Sequence, residues 1–185
     1  MKKESKDKTK KTSIQLDTLD HYTLIVKNAK KVTEFHTKCL GFKFKAEKLI
    51  NTGTVHEPGF DMINHILNLP DNPNLFCVVT QGMNEKTVFA QYLKKFGPGI
   101  HHLAFKVNNL EEEWLYCKAN NIGTTSKEII IDPVSGLKQF FITKNHAGYF
   151  IELIERTDEV ASQSEDFTAV NMKKLSDSIK AFLKK

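Results

Sequence analysis

Three absences narrow the class of this protein before any motif is considered. No run of about 18 apolar residues occurs, which is the length that a helix needs to cross a bilayer, so a membrane span is excluded. Cysteine is scarce, because Cys39, Cys77 and Cys117 are isolated and no Cys-x-x-Cys pair occurs. This pattern argues against a disulfide framework and against a structural zinc site. We therefore expect a reducing compartment, with the cytoplasm as the location.

Excess positive charge is also scarce outside the first residues. The formal net charge is +5, but the first eleven residues alone hold six lysines and two acids. We predict a disordered basic tail over residues 1–15, because its lysine-rich start has no apolar side chains to bury. That start lacks aromatic residues, arginine and the apolar core of a signal peptide. We expect a solvated end with no role in binding nucleic acid or in secretion.

Apolar residues are abundant and follow a repeated order. Hydrophobic residues make up 40% of the chain and include 13 phenylalanines, enough for one buried domain or two fused modules. A strand, a helix and three further strands are predicted twice, and in each copy a glycine ends the helix, 20 residues after His21 and 21 residues after His102. The predicted segments are a first βαβββ module at 16–84, a connecting helix and turn at 85–99, a second βαβββ module at 100–156, and a linker with a C-terminal helix at 157–185. We expect the two modules to bury their sheets against each other.

Histidines occupy matching places at the start of both modules. Because side chains alternate across a strand, His102 shares a face with Ala104 and Lys106, and His21 takes the same face in the first copy. The last predicted strand carries Glu152 in an apolar run, where a carboxylate must be neutralised or bind a cation. Two histidines and one carboxylate suit Fe(II), and Mn, Co, Ni and Zn remain alternatives.

Several stretches of the chain resemble a known superfamily. LDHYTLIV, HHLAF and FIELIER, spread over residues 16–156, resemble the vicinal oxygen chelate superfamily of glyoxalases, bleomycin resistance proteins and extradiol dioxygenases. Within it, YLKKFGPGIHHLAFKV, GLKQFFITK, YFIELIER and DFTAVNMKKLSDSIKAF resemble the iron-bearing C-terminal half of 4-hydroxyphenylpyruvate dioxygenase. The resemblance implies an α+β fold in which two tandem βαβββ modules form a curved mixed sheet, followed by a C-terminal helix. It also implies metal ligands at His21, His102 and Glu152, a pocket glutamine at Gln139, and a gating helix at 167–183.

The chain also departs from that branch. FCVVTQG stands where the branch has PLNEP, and TVFA stands where it has SQIQ. These segments line the aromatic 2-oxo acid pocket in the family, so the family's substrate is not carried over. We place Cys77 at the position of the first module that corresponds to Glu152, where superfamily isomerases and epimerases commonly have a fourth ligand. Three ligands would leave room for a bidentate substrate and dioxygen.

Our leading prediction is an Fe(II) dioxygenase that acts on a small oxo or hydroxy acid. One alternative is an isomerase or lyase that stabilises a metal-bound enolate, and another is a binding protein without turnover. His65 and His146 are candidate acid or base groups, since histidine titrates near neutral pH, whereas His101 is expected to be structural. The catalytic candidates are Gln139 and His65. The only partner expected is a small-molecule substrate, and a homodimer is left open.

Overall fold

The computed structural model describes residues 11–56, 58–156 and 169–184. Within these ranges the strands are β1 (Leu19–Ile25), β2 (Lys43–Ile50), β3 (Met62–Leu69), β4 (Asn72–Gly82), β5 (Gly99–Lys106), β6 (Ile130–Ile131), β7 (Lys138–Ile142) and β8 (Phe150–Glu155). The helices are α1 (Ala29–Cys39), α2 (Val88–Phe96), α3 (Leu110–Ala119) and α4 (Ala169–Leu183). The predicted linker and helix start at Asp166 lie outside the described residues.

The eight strands form one mixed sheet in the order β2-β3-β4-β1-β5-β8-β7-β6. In each module the first strand pairs in parallel with the last, as β1 does with β4 and β5 with β8. The two modules meet through the antiparallel pair of β1 and β5 at the centre of the sheet. The predicted fold class is therefore confirmed. None of the helices in the described part of the chain is long and apolar enough to span a membrane.

The helices divide between the two faces of the sheet. On one face, α1 packs on a cluster that includes Leu67 and Cys77, and α3 packs on one that includes Phe140 and Leu153. On the other face, α2 and α4 pack over side chains of β1, β3, β7 and β8. The second face is the one that we call the concave face, and it holds the site described below.

Equivalent signals begin and end the two module helices. Asn28 accepts a hydrogen bond from the backbone N–H of Lys31, and Asn109 caps α3 in the same way. Past the helix ends, Gly41 has a φ of 76° and Asn121 has a φ of 54°, both in the left-handed region. The duplication read from the sequence therefore extends to the helix caps.

Some residues within the predicted tail, 1–15, contact the folded chain. Lys11 Nζ lies 2.6 Å from Glu113 Oε1 on α3, and the Tyr116 hydroxyl donates to the Thr12 carbonyl at 2.8 Å. Ile14 packs on the apolar cluster beneath α3. The prediction missed these contacts because a lysine paired with a buried carboxylate has the same sequence signature as a solvated lysine.

Deleting residues 1–12 is expected to lower the free energy of unfolding by about 1 to 3 kcal/mol, because the buried Glu113 loses its cationic partner. Thermal unfolding should shift down by about 2 to 4 °C per kcal/mol for a chain of this size. Deleting only residues 1–10 is the control and should change little, since Lys11 remains. Identical melting of the two deletion variants would show that the Lys11 contact contributes nothing.

Candidate metal centre

Three predicted ligands converge on the concave face. His21 on β1, His102 on β5 and Glu152 on β8 are all buried, and their ligand atoms lie within 4.8 Å of one another. The two Nε2 atoms are 3.1 Å apart, and Glu152 Oε2 lies 3.3 Å from His21 Nε2 and 3.2 Å from His102 Nε2. The three side chains therefore point at one common position.

This donor set fits a divalent metal ion. Two ligand atoms about 2.1 Å from one ion, at roughly 90° to 110°, lie about 3.0 to 3.4 Å apart, which matches the triad. The second carboxylate oxygen, Glu152 Oε1, is buried and has no hydrogen-bond partner among the described residues. A buried carboxylate with an unmet oxygen is costly unless a cation balances it. The residues present would hold such an ion.

Two β-bulges place a partner beside each metal histidine. The register of β1 and β5 shifts twice, which leaves Asp20 on one strand and His101 on the other without an opposite residue. Each bulged residue directly precedes a ligand and reaches its far ring nitrogen. Asp20 Oδ1 lies 2.9 Å from His21 Nδ1, and His101 Nδ1 lies 2.8 Å from His102 Nδ1. The duplicated fold thus repeats the supporting contact, with a carboxylate in one copy and an imidazole in the other.

These contacts decide which ring nitrogen faces the ion. An Nδ1–H of His21 donating to Asp20 leaves the Nε2 lone pair for a metal. Burial and the Lys144 ammonium lower the pKa of His101 to about 3, so its ring is neutral and its Nδ1 can accept from His102. The proton of His101 is then on Nε2, which has no hydrogen-bond partner among the described residues. The imidazole lies among aromatic rings, and its centroid is 4.7 Å from that of the Tyr92 ring. Both ligands are held in the same tautomer.

Asp20 is itself fixed by Arg156. The guanidinium donates from Nε to Oδ2 at 3.0 Å and from Nη2 to Oδ1 at 2.9 Å, a two-point contact that orients the carboxylate. Burial alone would raise the pKa of Asp20, but hydrogen bonds from His21 and Arg156 outweigh burial and hold that pKa well below its usual range. Asp20 is therefore ionised when it accepts from His21.

Metal binding is expected to release about one proton per site at pH 7. Burial lowers the pKa of His21, but the hydrogen bonds to Asp20 and Glu152 outweigh burial and raise it to about 9 in the metal-free protein. The protonated ring must lose that proton to bind an ion, so apparent affinity should fall about tenfold per unit as pH drops below about 9. Calorimetric titration in buffers of different ionisation enthalpy measures the proton count. A count of zero at pH 7 would contradict this assignment.

A cavity of about 330 Å³ opens above the triad. It lies between the sheet and helices α2 and α4, and α4 contributes Met172 and Leu175 to its wall. The cavity therefore gives a small molecule access to the ion position. Its other lining residues are Asp20, Thr23, Lys45, Met62, Asn64, Ile66, Asn74, Phe76, Val78, Thr80, Phe89, Lys106, Phe141 and Arg156.

Two predicted catalytic residues are not brought to the triad, which corrects their assignment. His65 lies on the opposite face of the sheet, where its Nδ1 is 2.7 Å from Thr33 Oγ1 on α1. Gln139 is fully buried away from the cavity wall, and its Nε2 donates to Asn171 Oδ1 on α4 at 2.6 Å. His146 is exposed in the turn before β8 and also lies outside the wall. Residue type alone did not show that β3 turns His65 to the other face or that α4 covers Gln139.

The place in the first module that corresponds to Glu152 is Val78, which corrects the prediction of Cys77. In each module the residue paired with the ligand histidine is a phenylalanine, Phe76 in one copy and Phe150 in the other. Glu152 lies two residues beyond Phe150, so its equivalent lies two residues beyond Phe76. An error of one residue moves a strand side chain to the other face, and Cys77 indeed packs beneath α1. The fourth potential ligand position is therefore aliphatic.

The sequence analysis also missed Asp20 and Arg156 as parts of the site. The signal for Asp20 was its place directly before a ligand histidine, but strict strand alternation would have turned it to the other face. Only the bulge, which requires the partner strand to be known, brings it back. Arg156 follows the last strand and gave no signal of its own.

A duplicated βαβββ sheet with two histidines and a glutamate converging on its concave face defines a protein of the vicinal oxygen chelate class. The family model of the Glyoxalase/Bleomycin resistance protein/Dioxygenase superfamily matches residues 18–153, and the chain belongs to this superfamily. A search of curated proteins gave no match.

Solved structures share the fold at low sequence identity. Methylmalonyl-CoA epimerase from Mycobacterium tuberculosis has a TM-score of 0.63 and 22% identity, over 83% of this chain and 97% of that one. Hypothetical protein BH1468 from Bacillus halodurans C-125 has a TM-score of 0.61 and 23% identity, over 80% of this chain and 98% of that one. A Streptomyces coelicolor methylmalonyl-CoA epimerase variant in complex with 2-nitronate-propionyl-CoA has a TM-score of 0.58 and 18% identity, over 77% of this chain and 99% of that one. These likenesses show a common fold.

Proposed function

We propose that this protein is a metal-dependent enzyme whose His21, His102 and Glu152 side chains hold a divalent cation and whose cavity admits a small oxygenated acid. The observation that carries the proposal is the convergence of three buried ligand atoms, 3.1 to 3.3 Å apart, beside the unpaired Glu152 Oε1. When bound, the cation supplies Lewis acidity toward a carbonyl or carboxylate oxygen of the substrate.

The chain's own residues prepare the ligands and the cavity. Asp20 and His101 keep the Nδ1 protons of the two histidines away from the ion position, so both Nε2 atoms remain available. Arg156 keeps Asp20 oriented and ionised. Above the triad, a substrate bound against the apolar side chains of α4 and β7 would displace water from the cavity, which would strengthen the electrostatic interactions within the site.

For the reaction, we propose first an isomerase or lyase that stabilises an enolate. The fold neighbours support this class, since the M. tuberculosis epimerase is matched over 97% of its length. An enolate oxygen carries negative charge that a Lewis acid at the triad would stabilise. Such a reaction needs no oxidant.

A second candidate, an Fe(II) dioxygenase, is supported by a specific observation. Val78 occupies the fourth potential ligand position and offers no donor atom, so the protein supplies a two-histidine, one-carboxylate set with open positions. That arrangement is typical of non-haem Fe(II) oxygenases. The two candidates differ in whether turnover consumes oxygen.

Metal analysis followed by two assays tests these proposals. Protein purified without chelators should contain close to one divalent ion per chain. Exchange of the substrate's α-proton in D₂O without oxygen uptake would support the isomerase or lyase class, whereas stoichiometric oxygen uptake with Fe(II) would support the dioxygenase. If no metal binds above trace levels, the proposed enzyme is wrong and a metal-free binding protein takes its place.

A further test is to restore the missing ligand. Val78→Glu should place a carboxylate opposite Glu152, raise metal affinity by about tenfold or more, and lower turnover because one substrate position on the ion is taken. The matched control is Cys77→Glu, which buries the same group on the α1 face and should destabilise the fold without any gain in metal affinity. Unchanged metal affinity in Val78→Glu would mean that Val78 does not face the ion.

A further inference from the structure

The cavity is polarised along the strands that form its floor. Following β5 on the concave face, His102 is succeeded by Ala104 and then Lys106, which marks one end of the cavity. The same end contains Asp20, at the start of β1, and Arg156, just after β8. The opposite end lies beneath α2 and α4 and is mainly apolar, with Met62, Phe89, Phe141, Met172 and Leu175. A molecule centred on the triad would meet chemically different walls on its two sides.

Lys106 carries positive charge that the surrounding protein offsets only weakly. Its Nζ lies 3.6 Å from Asp20 Oδ2, at the outer limit of an ion pair. Asp20 is already balanced by the two-point contact with Arg156, at 2.9 and 3.0 Å. The Lys106 side chain is 34% exposed, so its ammonium can move toward a ligand in the cavity. Within the described ranges, the ion pair of Lys106 is this long contact to Asp20, so its ammonium is available to an anionic group in the cavity.

A metal ion would add to the positive charge near Lys106. A divalent ion on the triad would carry two positive charges, of which the Glu152 carboxylate offsets one. A substrate carboxylate that chelates the ion offsets the other, and the Lys106 ammonium then remains to attract a second anionic group. A ligand with two negative groups is therefore favoured electrostatically.

We propose that the end of the cavity marked by Lys106 and Arg156 is a subsite for a second anionic group of the substrate. The substrate class is then an oxo or hydroxy acid with a further carboxylate or phosphate, bound at its centre through the ion. It is a compact molecule, because Asp20 contacts both Lys106, at 3.6 Å from Nζ to Oδ2, and the ligand His21, at 2.9 Å from Nδ1 to Oδ1. Lys106 is a specificity-determining residue in this assignment, which rests on the proposed function.

The test measures binding to the full chain loaded with Co(II), by calorimetry and by the visible spectrum of the metal. The probes are pyruvate, with one anionic group, and 2-oxoglutarate and phosphohydroxypyruvate, each with a second one. The better dianionic probe should bind about tenfold or more tightly than pyruvate, and added salt should reduce this preference. Whether 2-oxoglutarate or phosphohydroxypyruvate binds more tightly identifies the second group as carboxylate or phosphate.

Variants of Lys106 assign the effect to this residue. Lys106→Met should remove most of the preference for dianionic probes while the affinity for pyruvate stays within about twofold, and Lys106→Arg should restore it. Lys94→Met, on the exposed side of α2 and outside the cavity wall, is the matched control and should keep the full preference.

The possible failures are distinguishable. If Co(II) binds but all three probes bind equally, or if Lys106→Met keeps the preference, the subsite is wrong while the metal site stands. If Co(II) binds and none of the probes does, the substrate class is wrong and the subsite is rejected with it. If the unmodified chain binds no Co(II), the proposed function itself fails.

Discussion

Replacing His21, His102 or Glu152 with alanine should abolish stoichiometric metal binding while the protein stays folded. Four-ligand zinc sites gain about 10 to 16 kcal/mol in total, so each of three ligands is worth roughly 3 kcal/mol or more, which is over a hundredfold in affinity. The fold should survive because the ligands come from three adjacent strands, β1, β5 and β8, whose backbone hydrogen bonds the substitutions leave intact. Elemental analysis and circular dichroism together measure the two halves of this prediction.

The matched control is His65→Ala, the same substitution at a buried strand histidine on the opposite face. It should retain the metal, although it loses a hydrogen bond to Thr33. His101→Ala should give an intermediate result, because loss of a contact to the far nitrogen of a ligand typically weakens metal affinity by about 10- to 100-fold. Complete metal loss in His65→Ala, or retention in Glu152→Ala, would contradict the assigned triad.

Truncation after Arg156 should unfold the protein at ordinary temperatures. The helix α4 places Leu175 and Ile179 in the main apolar cluster, and the ring of Phe182 contacts that of Phe150 at 5.1 Å between centroids. Loss of each large buried side chain costs about 2 to 5 kcal/mol, and the sum over the helix is comparable with the whole stability of a typical domain. Denaturant unfolding and proteolysis would measure the effect. A truncated chain that stays folded and keeps its metal would instead support the predicted gating helix.

A smaller change separates the two roles of α4. Met172 lines the cavity, so Met172→Ala should enlarge the cavity. Ile179 lies in the apolar core, so Ile179→Ala removes a core side chain. If α4 shapes the pocket, Met172→Ala should change affinity for small-molecule ligands more than it changes stability. Ile179→Ala should do the reverse. Equal effects of both variants on both measurements would mean that the helix acts only as a cap.

The sequence predicted the site residues that recur in the duplicated pattern. It did not predict the features that depend on how strands pair. His21, His102 and Glu152 could be predicted because two histidines recur in a duplicated pattern and a carboxylate interrupts an apolar strand. Val78 could not be distinguished from Cys77, since strand register depends on pairing over long distances. Asp20 required a bulge that exists only in the paired sheet. Position in the chain did not reveal that Gln139 lies beneath α4 rather than in the cavity.

The seam between the modules gives the metal site a consequence for folding. His21 belongs to one module and the other two ligands to its partner module, and the two histidines are 81 residues apart in the chain. An ion bound to all three is a crosslink across the β1 and β5 pair that cannot form until the modules have docked. By mass action it stabilises the folded chain by about 2.7 kcal/mol when free metal is at 100 times its dissociation constant. The midpoint of thermal unfolding should therefore depend on metal concentration, and a chelator should speed separation of the two halves.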